Sequence, residues 1–515
     1  METTTTDVCI VGGGVAGLIA ATSLAERGLK PIVLEAHPGA IGGRLRDEPP
    51  ACISYQGQTW QFAAEHGVHG IWSPYVNLRA VLARHGIMPD IQASSDETWI
   101  DGRGQRVRVA EIGNAMRESP IPPPFHYLSM FVRPHFLRML SPQDVVSLFL
   151  VQGRLISALA IDPLAEGKSL ERMTLADFMS GWSPALKNLF AGLARNALAT
   201  APERAPAAGF IAFLRFYTLM RRDAWEFGYL PGTGGALICE PLAERARALG
   251  AEIRLGCRAE RLERTAGGWQ VVYQTAHGQA AIAAAHVVLA LDAPAAARLL
   301  RASPATAPEA QALRFPRGVA TTIVRLWFRA SPRAGAESGI CTGDMQVDNF
   351  FWLHLLQPDY RRWHAATGGS AVELHLYDPL PQAEQDDAAL ITKALFDLTR
   401  AFPELRGTFV SSTIQRNPPT HTLFTPGDAG QALAVETPWP GIVACGDWVA
   451  HPNPAMYLER AATTGIVAAN HILEACRRPA WPLEAHPEPE WLAGFMARRL
   501  QRFRQRMVAR RLASG

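Results

Sequence analysis

The sequence predicts an α/β fold that is built on a dinucleotide-binding domain near its amino terminus. The first observation is an apolar run at residues 8–11, which is typical of a buried parallel strand and is followed at once by closely spaced glycines. The second is a predicted helix over residues 15–27, followed by a predicted strand over residues 31–34. The third is Glu35, which ends that strand where an acidic side chain accepts hydrogen bonds from ribose hydroxyls. This order predicts a βαβ unit that binds a dinucleotide.

Each glycine of the first turn has its own role in such a unit. Gly12 turns the chain, Gly14 lets the backbone approach a pyrophosphate, and Gly17 lets the helix pack against the strand. Val15 and Ala16 begin the helix, whose unpaired N–H groups and partial positive charge face the phosphates. We therefore predict that this turn binds the pyrophosphate of the cofactor.

A second glycine turn follows shortly after Glu35 and Ala36. Gly42 and Gly43 form this turn, and Arg44 comes directly after them. An arginine offers a planar fork that matches phosphate oxygens, so the turn suits an additional set of phosphate contacts. Simple nicotinamide dehydrogenases lack this element.

The stretch up to Arg44 resembles the amino terminus of the flavin amine oxidase and carotenoid desaturase superfamily. In that superfamily the arginine-bearing turn covers the pyrophosphate of FAD. The resemblance implies that the cofactor is FAD. It also implies a Rossmann-like FAD-binding domain of the GR2 type with an interleaved α+β substrate domain.

Two later segments resemble further parts of the same superfamily. Residues 252–262 alternate in polarity and predict a strand after a helix, and by resemblance the strand end near Ala259 holds the adenine through its backbone. Gly446 and Asp447 end an apolar strand, where a carboxylate meets ribitol hydroxyls. The next helix, with Leu458 in its first turn, is expected to lie against the flavin pyrimidine. The usual Glu-Gly-Ala of this helix has an arginine in place of the glycine.

These segments predict a domain division in which separated stretches build each part. The FAD-binding domain is expected to comprise residues 1–92, 229–310 and 432–476. The substrate-binding domain is expected to comprise residues 93–228 and 311–431. Residues 477–515 are expected to form a basic amphipathic helix at the carboxyl terminus.

The block from His66 to His69 is informative about the branch of the superfamily. It resembles the corresponding segment of carotenoid desaturases, including the group that rearranges end rings to aromatic ones. By this resemblance Gly67 and Val68 are expected to contact FAD. One of the two histidines is expected either to face the isoalloxazine ring or to satisfy a buried loop carbonyl, and His69 is a candidate catalytic residue. No carboxylate or cysteine completes a metal set with these histidines, so we expect no metal.

Amine oxidation is the first alternative function. Flavin amine oxidases carry a lysine near flavin N5 and an aromatic cage for the substrate nitrogen. Here Thr322 stands at the expected lysine position, while Tyr457 falls where one cage residue lies and is the second candidate catalytic residue. His421 is a further residue expected to border the site.

The chemistry expected of the desaturase branch is hydride transfer from an apolar isoprenoid to flavin N5. Allylic delocalisation tolerates the positive charge that develops on the carbon, and a proton leaves the adjacent carbon. The strand predicted over residues 319–328 is expected to floor the substrate cavity. A second alternative is an isomerase that uses reduced flavin without net oxidation of a polyene.

Composition excludes several other classes. The chain has 515 residues, is 48% hydrophobic and carries a formal net charge of +3, which is too small to imply nucleic acid as a partner. Its seven cysteines form no Cys-x-x-Cys pair, so we expect a reducing cytosol. We recognise no signal peptide, and the apolar run at residues 280–300 is interrupted by polar residues and is not expected to span a membrane.

Two segments suggest contact with a membrane surface. Residues 125–164 are markedly apolar and predict either ordinary core or a surface that rests on lipid. In the tail, Leu492, Met496, Leu500, Phe503 and Met507 recur at helical spacing among many arginines, which predicts a helix lying in a headgroup layer or one packed on the body. We expect a cytoplasmic protein that is peripheral on the inner face of the cell membrane.

Overall fold

The fold is formed by two seven-stranded sheets and a layer of helices. The computed structural model describes residues 3–166, 170, 172–333, 335–377, 386–426 and 431–513. The strands are β1 (Thr3–Val11), β2 (Pro31–Leu34), β3 (Asp47–Tyr55), β4 (Gln58–Glu65), β5 (Gly70–Trp72), β6 (Gln92–Ala93), β7 (Thr98–Arg103), β8 (Arg106–Glu111), β9 (Phe227–Tyr229), β10 (Glu252–Arg254), β11 (Arg258–Thr265), β12 (Gly268–Thr275), β13 (Gly278–Leu289), β14 (Gly318–Phe328), β15 (Ser338–Gly343), β16 (Asn349–Trp352), β17 (Ser370–Tyr377), β18 (Phe409–Thr422) and β19 (Ile442–Ala444). The α-helices are α1 (Val15–Glu26), α2 (Val76–Arg84), α3 (Gly113–Arg117), α4 (Pro134–Met139), α5 (Pro142–Leu159), α6 (Leu175–Phe178), α7 (Pro184–Leu198), α8 (Ala207–Leu214), α9 (Glu240–Ala248), α10 (Ala293–Ala302), α11 (Ala307–Ala312), α12 (Leu353–Leu356), α13 (Pro358–Thr367), α14 (Asp387–Ala401), α15 (Tyr457–Ala475) and α16 (Trp491–Ala513).

The first sheet combines strands from three distant stretches of the chain. Its order is β10-β2-β1-β13-β12-β11, and β19 also pairs with β13. Val11 stands in register with Leu34 on one side and Leu289 on the other, and Leu289 with Ala444. These pairs are parallel, so the carboxyl ends of the four strands meet at one edge, where doubly wound sheets bind their ligands. This arrangement confirms the predicted α/β fold class.

Helix α1 begins at this edge, directly after β1, and packs closely against its surroundings. Its residues from Val15 to Ala25 are buried, and the site of a Cβ on Gly17 is occupied by the carbonyl oxygen of Gly12. On its other side α1 packs on α15, where a Cβ on Gly465 would lie 2.7 Å from the carbonyl oxygen of Ala16. The predicted helix and the strand after it are both confirmed.

The strand predicted over residues 252–262 is wrong as a single element. The chain forms β10 and then β11, because Gly256 adopts a left-handed conformation between them with φ of 65°. The turn is held to the end of β2, since Gly256 N–H donates to His37 O at 3.0 Å and Cys257 N–H to Glu35 O at 2.8 Å.

The second sheet has the order β18-β14-β17-β16-β15-β7-β8. Residues 318–328 form β14, which confirms the predicted strand, but β14 contributes no residue to the cavity wall and the expected floor is wrong. The loop around Gly67 lies between β14 and the cavity. It is bonded to the second sheet, because Asn417 Nδ2 donates both to His66 O at 2.7 Å and to Thr321 Oγ1 at 2.9 Å. A third sheet of three short strands has the order β5-β9-β6.

The apolar stretch at residues 125–164 combines both predicted alternatives. Phe136, Met139 and Leu155 are buried in the main core, whereas Val146 and Phe149 are exposed on α5 at 70% and 82%. In the part of the chain that the structure describes, none of the helices has the length and apolar character needed to cross a bilayer.

The carboxyl-terminal helix α16 packs on the body of the protein. Ala493 and Ala497 are buried, Met496 and Leu500 are half-buried, and the helix contacts α5. The predicted apolar stripe is therefore divided, because Phe503 remains 65% exposed.

The contact between Gly17 and Gly12 gives a test of the fold. We expect Gly17→Ala to lower the free energy of unfolding by about 3 kcal/mol, because the added methyl group has no space beside the Gly12 carbonyl oxygen. The matched control is Gly39→Ala, since no atom lies within 4 Å of a Cβ there. Thermal unfolding of both variants measures the difference, and equal midpoints would contradict this packing.

Candidate active site

A cavity of about 850 Å³ lies at the carboxyl edge of the first sheet and extends to the second sheet. Two walls differ in chemistry. One wall carries the two glycine turns, Glu35, Arg44 and Asp447. The other wall is mostly aromatic and includes Trp72, Phe213, Tyr217, Trp225, Phe227 and Phe351.

The first glycine turn forms an open cradle at the start of α1. Gly12, Gly14, Val15 and Ala16 line the cavity, whereas Gly17 lies behind them in the helix–strand contact. Gly14 is the N-cap of α1, no side chain caps the helix there, and its first turn contains no acidic residue. The N-terminal N–H groups and the helix dipole are thus arranged for an anionic group from outside the protein.

Glu35 is fixed by two backbone donors. Its Oε2 accepts from Gly13 N–H at 2.9 Å, and its Oε1 accepts from His37 N–H at 2.7 Å. Each carboxylate oxygen retains a further lone pair for a hydroxyl donor. Ala36 and Ala259, two of the predicted cofactor-binding residues, also line the cavity.

The second glycine turn and the last segment meet through an ion pair. Gly42 and Gly43 have φ of 116° and 60°, conformations that favour glycine, and both line the cavity with Gly446. Arg44 Nη2 lies 2.8 Å from Asp447 Oδ1. The arginine is 28% exposed in its side chain while the carboxylate is 4% exposed, so the guanidinium retains donors for phosphate oxygens.

Helix α15 begins at the cavity with Tyr457 and Leu458, which both line it. Tyr457 has φ of 49°, its hydroxyl donates to the carbonyl oxygen of Ala197, and burial raises its pKa well above the usual value. The Tyr457 side chain therefore stays neutral, and its hydroxyl proton is already hydrogen-bonded to the backbone. The His421 ring lies 6.0 Å from it, centroid to centroid.

The His66–His69 loop is held by a buried ion pair. Val68 N–H donates to Glu373 Oε1 at 2.7 Å, and Glu373 Oε2 lies 2.7 Å from Arg325 Nη2. Burial raises the pKa of Glu373, but Arg325, His375 and the Val68 N–H outweigh it and lower the value to about 2. Val68 and His69 line the cavity. Gly67 does not line the cavity. It packs instead against the His375 ring, which would lie 3.0 Å from a Cβ at this position.

Two histidines at the cavity, His66 and His421, supply neutral nitrogen atoms. Burial, with Arg44 contributing, lowers the pKa of His421 to about 4 and that of His66 well below its usual value. His66 Nε2, His69 Nδ1 and His421 Nε2 are buried and have no hydrogen-bond partner among the described residues. The His69 Nδ1 atom lies 3.5 Å from Glu65 Oε2. Where the structure is described, it shows no group of three or more side chains suited to a metal ion.

Sequence reasoning missed several residues of the aromatic wall. Tyr217 stacks on Tyr457 with centroids 6.3 Å apart, and Asn349 and Tyr377 line the cavity from the second sheet. They carry no motif, because their positions depend on strand register and helix packing. Thr322 is buried away from the cavity, and no lysine lines the described wall.

The fold and the donor set define an FAD-dependent oxidoreductase. A glycine cradle, an acid at the second strand and an arginine over a second turn match the pyrophosphate and ribose groups of a dinucleotide. The chain belongs to the flavin containing amine oxidoreductase family, whose sequence model matches residues 15–473.

Known proteins similar to the chain include enzymes of both branches. It is 28% identical to a carotenoid phi-ring synthase of Streptomyces griseus, covering 91% of this chain and 87% of that one. It is 25% identical to a probable zeta-carotene desaturase of Synechococcus elongatus, covering 57% and 60%. The structure of cyclohexylamine oxidase from Brevibacterium oxydans matches with a TM-score of 0.63 at 16% identity, covering 92% of this chain and 100% of that one. The superfamily prediction and the FAD prediction are confirmed.

The Glu373–Arg325 pair gives a test of the site. We expect Glu373→Gln to lower the free energy of unfolding by about 3 kcal/mol near neutral pH, because it leaves the buried Arg325 guanidinium without its carboxylate. We also expect weaker FAD retention, since Val68 loses its charged acceptor. Differential scanning calorimetry and flavin absorbance measure the two effects.

The pH dependence of that loss has a definite sign. A carboxyl whose pKa falls from 4.5 to about 2 on folding stabilises the protein above pH 4.5 and loses that contribution as the pH falls toward 2. The gap between wild type and variant should therefore narrow below pH 4.5. The control is Glu263→Gln, which removes an exposed pair with Arg261 and should cost at most about 0.5 kcal/mol.

Proposed function

We propose that the protein oxidises a carotenoid or a related apolar isoprenoid, removing hydride from a carbon and a proton from its neighbour. The aromatic wall is the observation that carries the proposal, because it offers a long hydrocarbon a large apolar surface next to the cofactor side. The carotenoid-modifying relatives support the same substrate class. We also propose that residues 1–92, 229–310 and 432–476, which contain all the strands of the first sheet, form the FAD-binding domain.

Bound FAD would supply the hydride acceptor for this reaction. The proposed pyrophosphate contacts are Gly14, Val15, Ala16, Gly43 and Arg44, with Glu35 at the ribose and Asp447 at the ribitol. The aromatic side chains exclude water from the carbon that loses hydride. His66 and His421 are neutral, so each ring offers a nitrogen that accepts a proton.

Amine oxidation is a second candidate because of one observation. Tyr217 and Tyr457 are inclined by only 24° to each other, an arrangement related to an aromatic cage. The Tyr217 hydroxyl is hydrogen-bonded to that of Tyr75 at 2.7 Å, and both tyrosines are buried. The apolar extent of the wall favours the isoprenoid.

Product mass and peroxide formation distinguish oxidation of the polyene, its isomerisation and the oxidation of an amine. Purified holoenzyme incubated with β-carotene in vesicles should give a product lighter by two hydrogens for each oxidation, as measured by liquid chromatography and mass spectrometry. Asp447→Ala should reduce conversion at least tenfold by weakening FAD binding, whereas Asp90→Ala, at an exposed position, should not. A product of unchanged mass would indicate isomerisation. Peroxide formed from amines with an unchanged polyene would contradict the proposal.

We further propose that α5 and α16 form a lipid-facing surface on the cytoplasmic side of the membrane. Val146 and Phe149 on α5 and Phe503 on α16 are exposed, and the two helices are in contact. Helix α16 also carries exposed arginines, at Arg498, Arg499, Arg502 and Arg506. Apolar side chains flanked by arginines match an anionic headgroup layer. Such a surface would let a long hydrocarbon enter without crossing water.

Liposome flotation tests this surface. We expect the wild type to float with anionic vesicles and to release at high salt, because arginine contacts are screened. Phe149→Ser combined with Phe503→Ser should weaken partitioning at least tenfold, since each phenylalanine loses roughly 2 kcal/mol of burial in lipid. The control is Phe396→Ser, which removes a similarly exposed ring from α14. Equal flotation of all three proteins would reject this surface.

A further inference from the structure

The aromatic wall contains one buried carboxyl group that the proposed reaction does not use. Glu97 lines the cavity and is 6% exposed. Its Oε2 is buried and has no hydrogen-bond partner in the described part of the chain. A buried polar atom without a partner is unfavourable, so its presence in a cavity wall points to a ligand that completes it.

The backbone fixes Glu97 at this place. Its N–H donates to Asp96 Oδ1 at 2.8 Å, and its carbonyl oxygen accepts from Ile112 N–H at 2.9 Å. Asp96 Oδ1 also accepts from Asn114 N–H at 2.8 Å, at the start of α3. The main chain is thus bonded on both sides of the residue, and the side chain stays within the wall.

Glu97 is protonated at neutral pH. Burial is the main cause, and the neighbouring carboxylates of Asp96 and Glu337 add to it, so that the pKa rises to about 8. Those two acids are themselves bonded to the backbone, since Glu337 Oε1 accepts from Ser95 N–H at 2.8 Å. Glu97 therefore offers one O–H donor and one carbonyl acceptor.

A second polar pair lies in the same part of the wall. The Tyr229 hydroxyl donates to Ser338 Oγ at 2.6 Å, and both residues line the cavity. Glu97 is near enough to Tyr229 to contribute to its raised pKa. The Ser338 hydroxyl keeps its own proton for a further acceptor. The Phe351 ring packs 6.0 Å from that of Tyr229, so these groups are set in an apolar surround.

We propose that Glu97, Tyr229 and Ser338 form a subsite for a neutral oxygen function, a carbonyl or hydroxyl group carried on the ring of the substrate. The substrate's isoprenoid nature rests on the proposed function, whereas the subsite rests on the wall itself. An oxygen atom there accepts from the Glu97 carboxylic acid and from the Ser338 hydroxyl. A plain hydrocarbon leaves both donors unpaired, so the site distinguishes oxygenated from unsubstituted rings.

Binding of small ring compounds to the holoenzyme tests the subsite without turnover. The probes are methylcyclohexenone, methylcyclohexene and methylcyclohexylamine, titrated at pH 7 with intrinsic tryptophan fluorescence as the readout. We expect the ketone to bind about tenfold more tightly than the hydrocarbon. In Glu97→Leu the ratio should fall several-fold, because only the Ser338 donor remains, and in Glu97→Gln, which keeps a neutral donor, it should persist.

The pH dependence separates this role from a structural one. The titratable groups that face Glu97 are Asp96, Glu337 and Tyr229. As the pH rises from 7 to 9, Glu97 ionises and loses its donor, so the wild-type preference for the ketone should fall. The preference of Glu97→Gln should stay constant.

Three results would overturn the subsite. They are an equal ketone preference in wild type and Glu97→Leu, a preference that does not change with pH in the wild type, and tightest binding of the amine. Failure of polyene oxidation in the product assay would count against the proposed function alone, since ring binding is measured independently of it.

Discussion

The hydrogen bonds of β1 to β2 on one side and to β13 on the other decide where the parts of the cofactor wall lie. Because both pairings are parallel, the residues after Val11, Leu34 and Leu289 emerge at one edge of the sheet. The pairing of β13 with β19 brings Gly446 to the same edge from more than 150 positions further along the chain. One register thus assembles a glycine cradle, an acid and a second acid that are far apart in sequence.

Local turn chemistry explains which parts of the site were predictable from the sequence. Gly12, Gly42 and Gly43 adopt positive φ, and only a small set of residues tolerates such backbone, so their positions mark the turns directly. Tyr217 and Glu97 carry no such local signal. Their place in the wall follows from packing between segments more than 100 residues apart, which no periodicity records. The division of residues 252–262 was missed although Gly256 carries that local signal, because a regular alternation of polarity continues on both sides of it.

Charge is distributed unevenly around the cavity. Glu35, Arg44 and Asp447 lie on the cofactor side, where a dinucleotide brings charge of its own. Burial keeps His66 and His421 neutral at the cavity and Glu97 protonated in the aromatic wall. Glu373 stays ionised only because Arg325 and two further donors surround it, and it lies behind the wall. The side that is proposed to hold a hydrocarbon therefore contains neutral groups.

The arginine that replaces the usual glycine in the last flavin segment is compatible with this arrangement. Leu458 and Ala461 share the cavity side of α15 because they are three residues apart, and Arg460 lies on another side of the helix. Its guanidinium donates to the carbonyl oxygens of Ala455 at 2.6 Å and Asn453 at 2.9 Å, and it is 2% exposed. The side chain thus ties down the loop that precedes α15. The start of α15 still lines the cavity, so Arg460 stabilises the preceding loop without occupying space beside the cofactor.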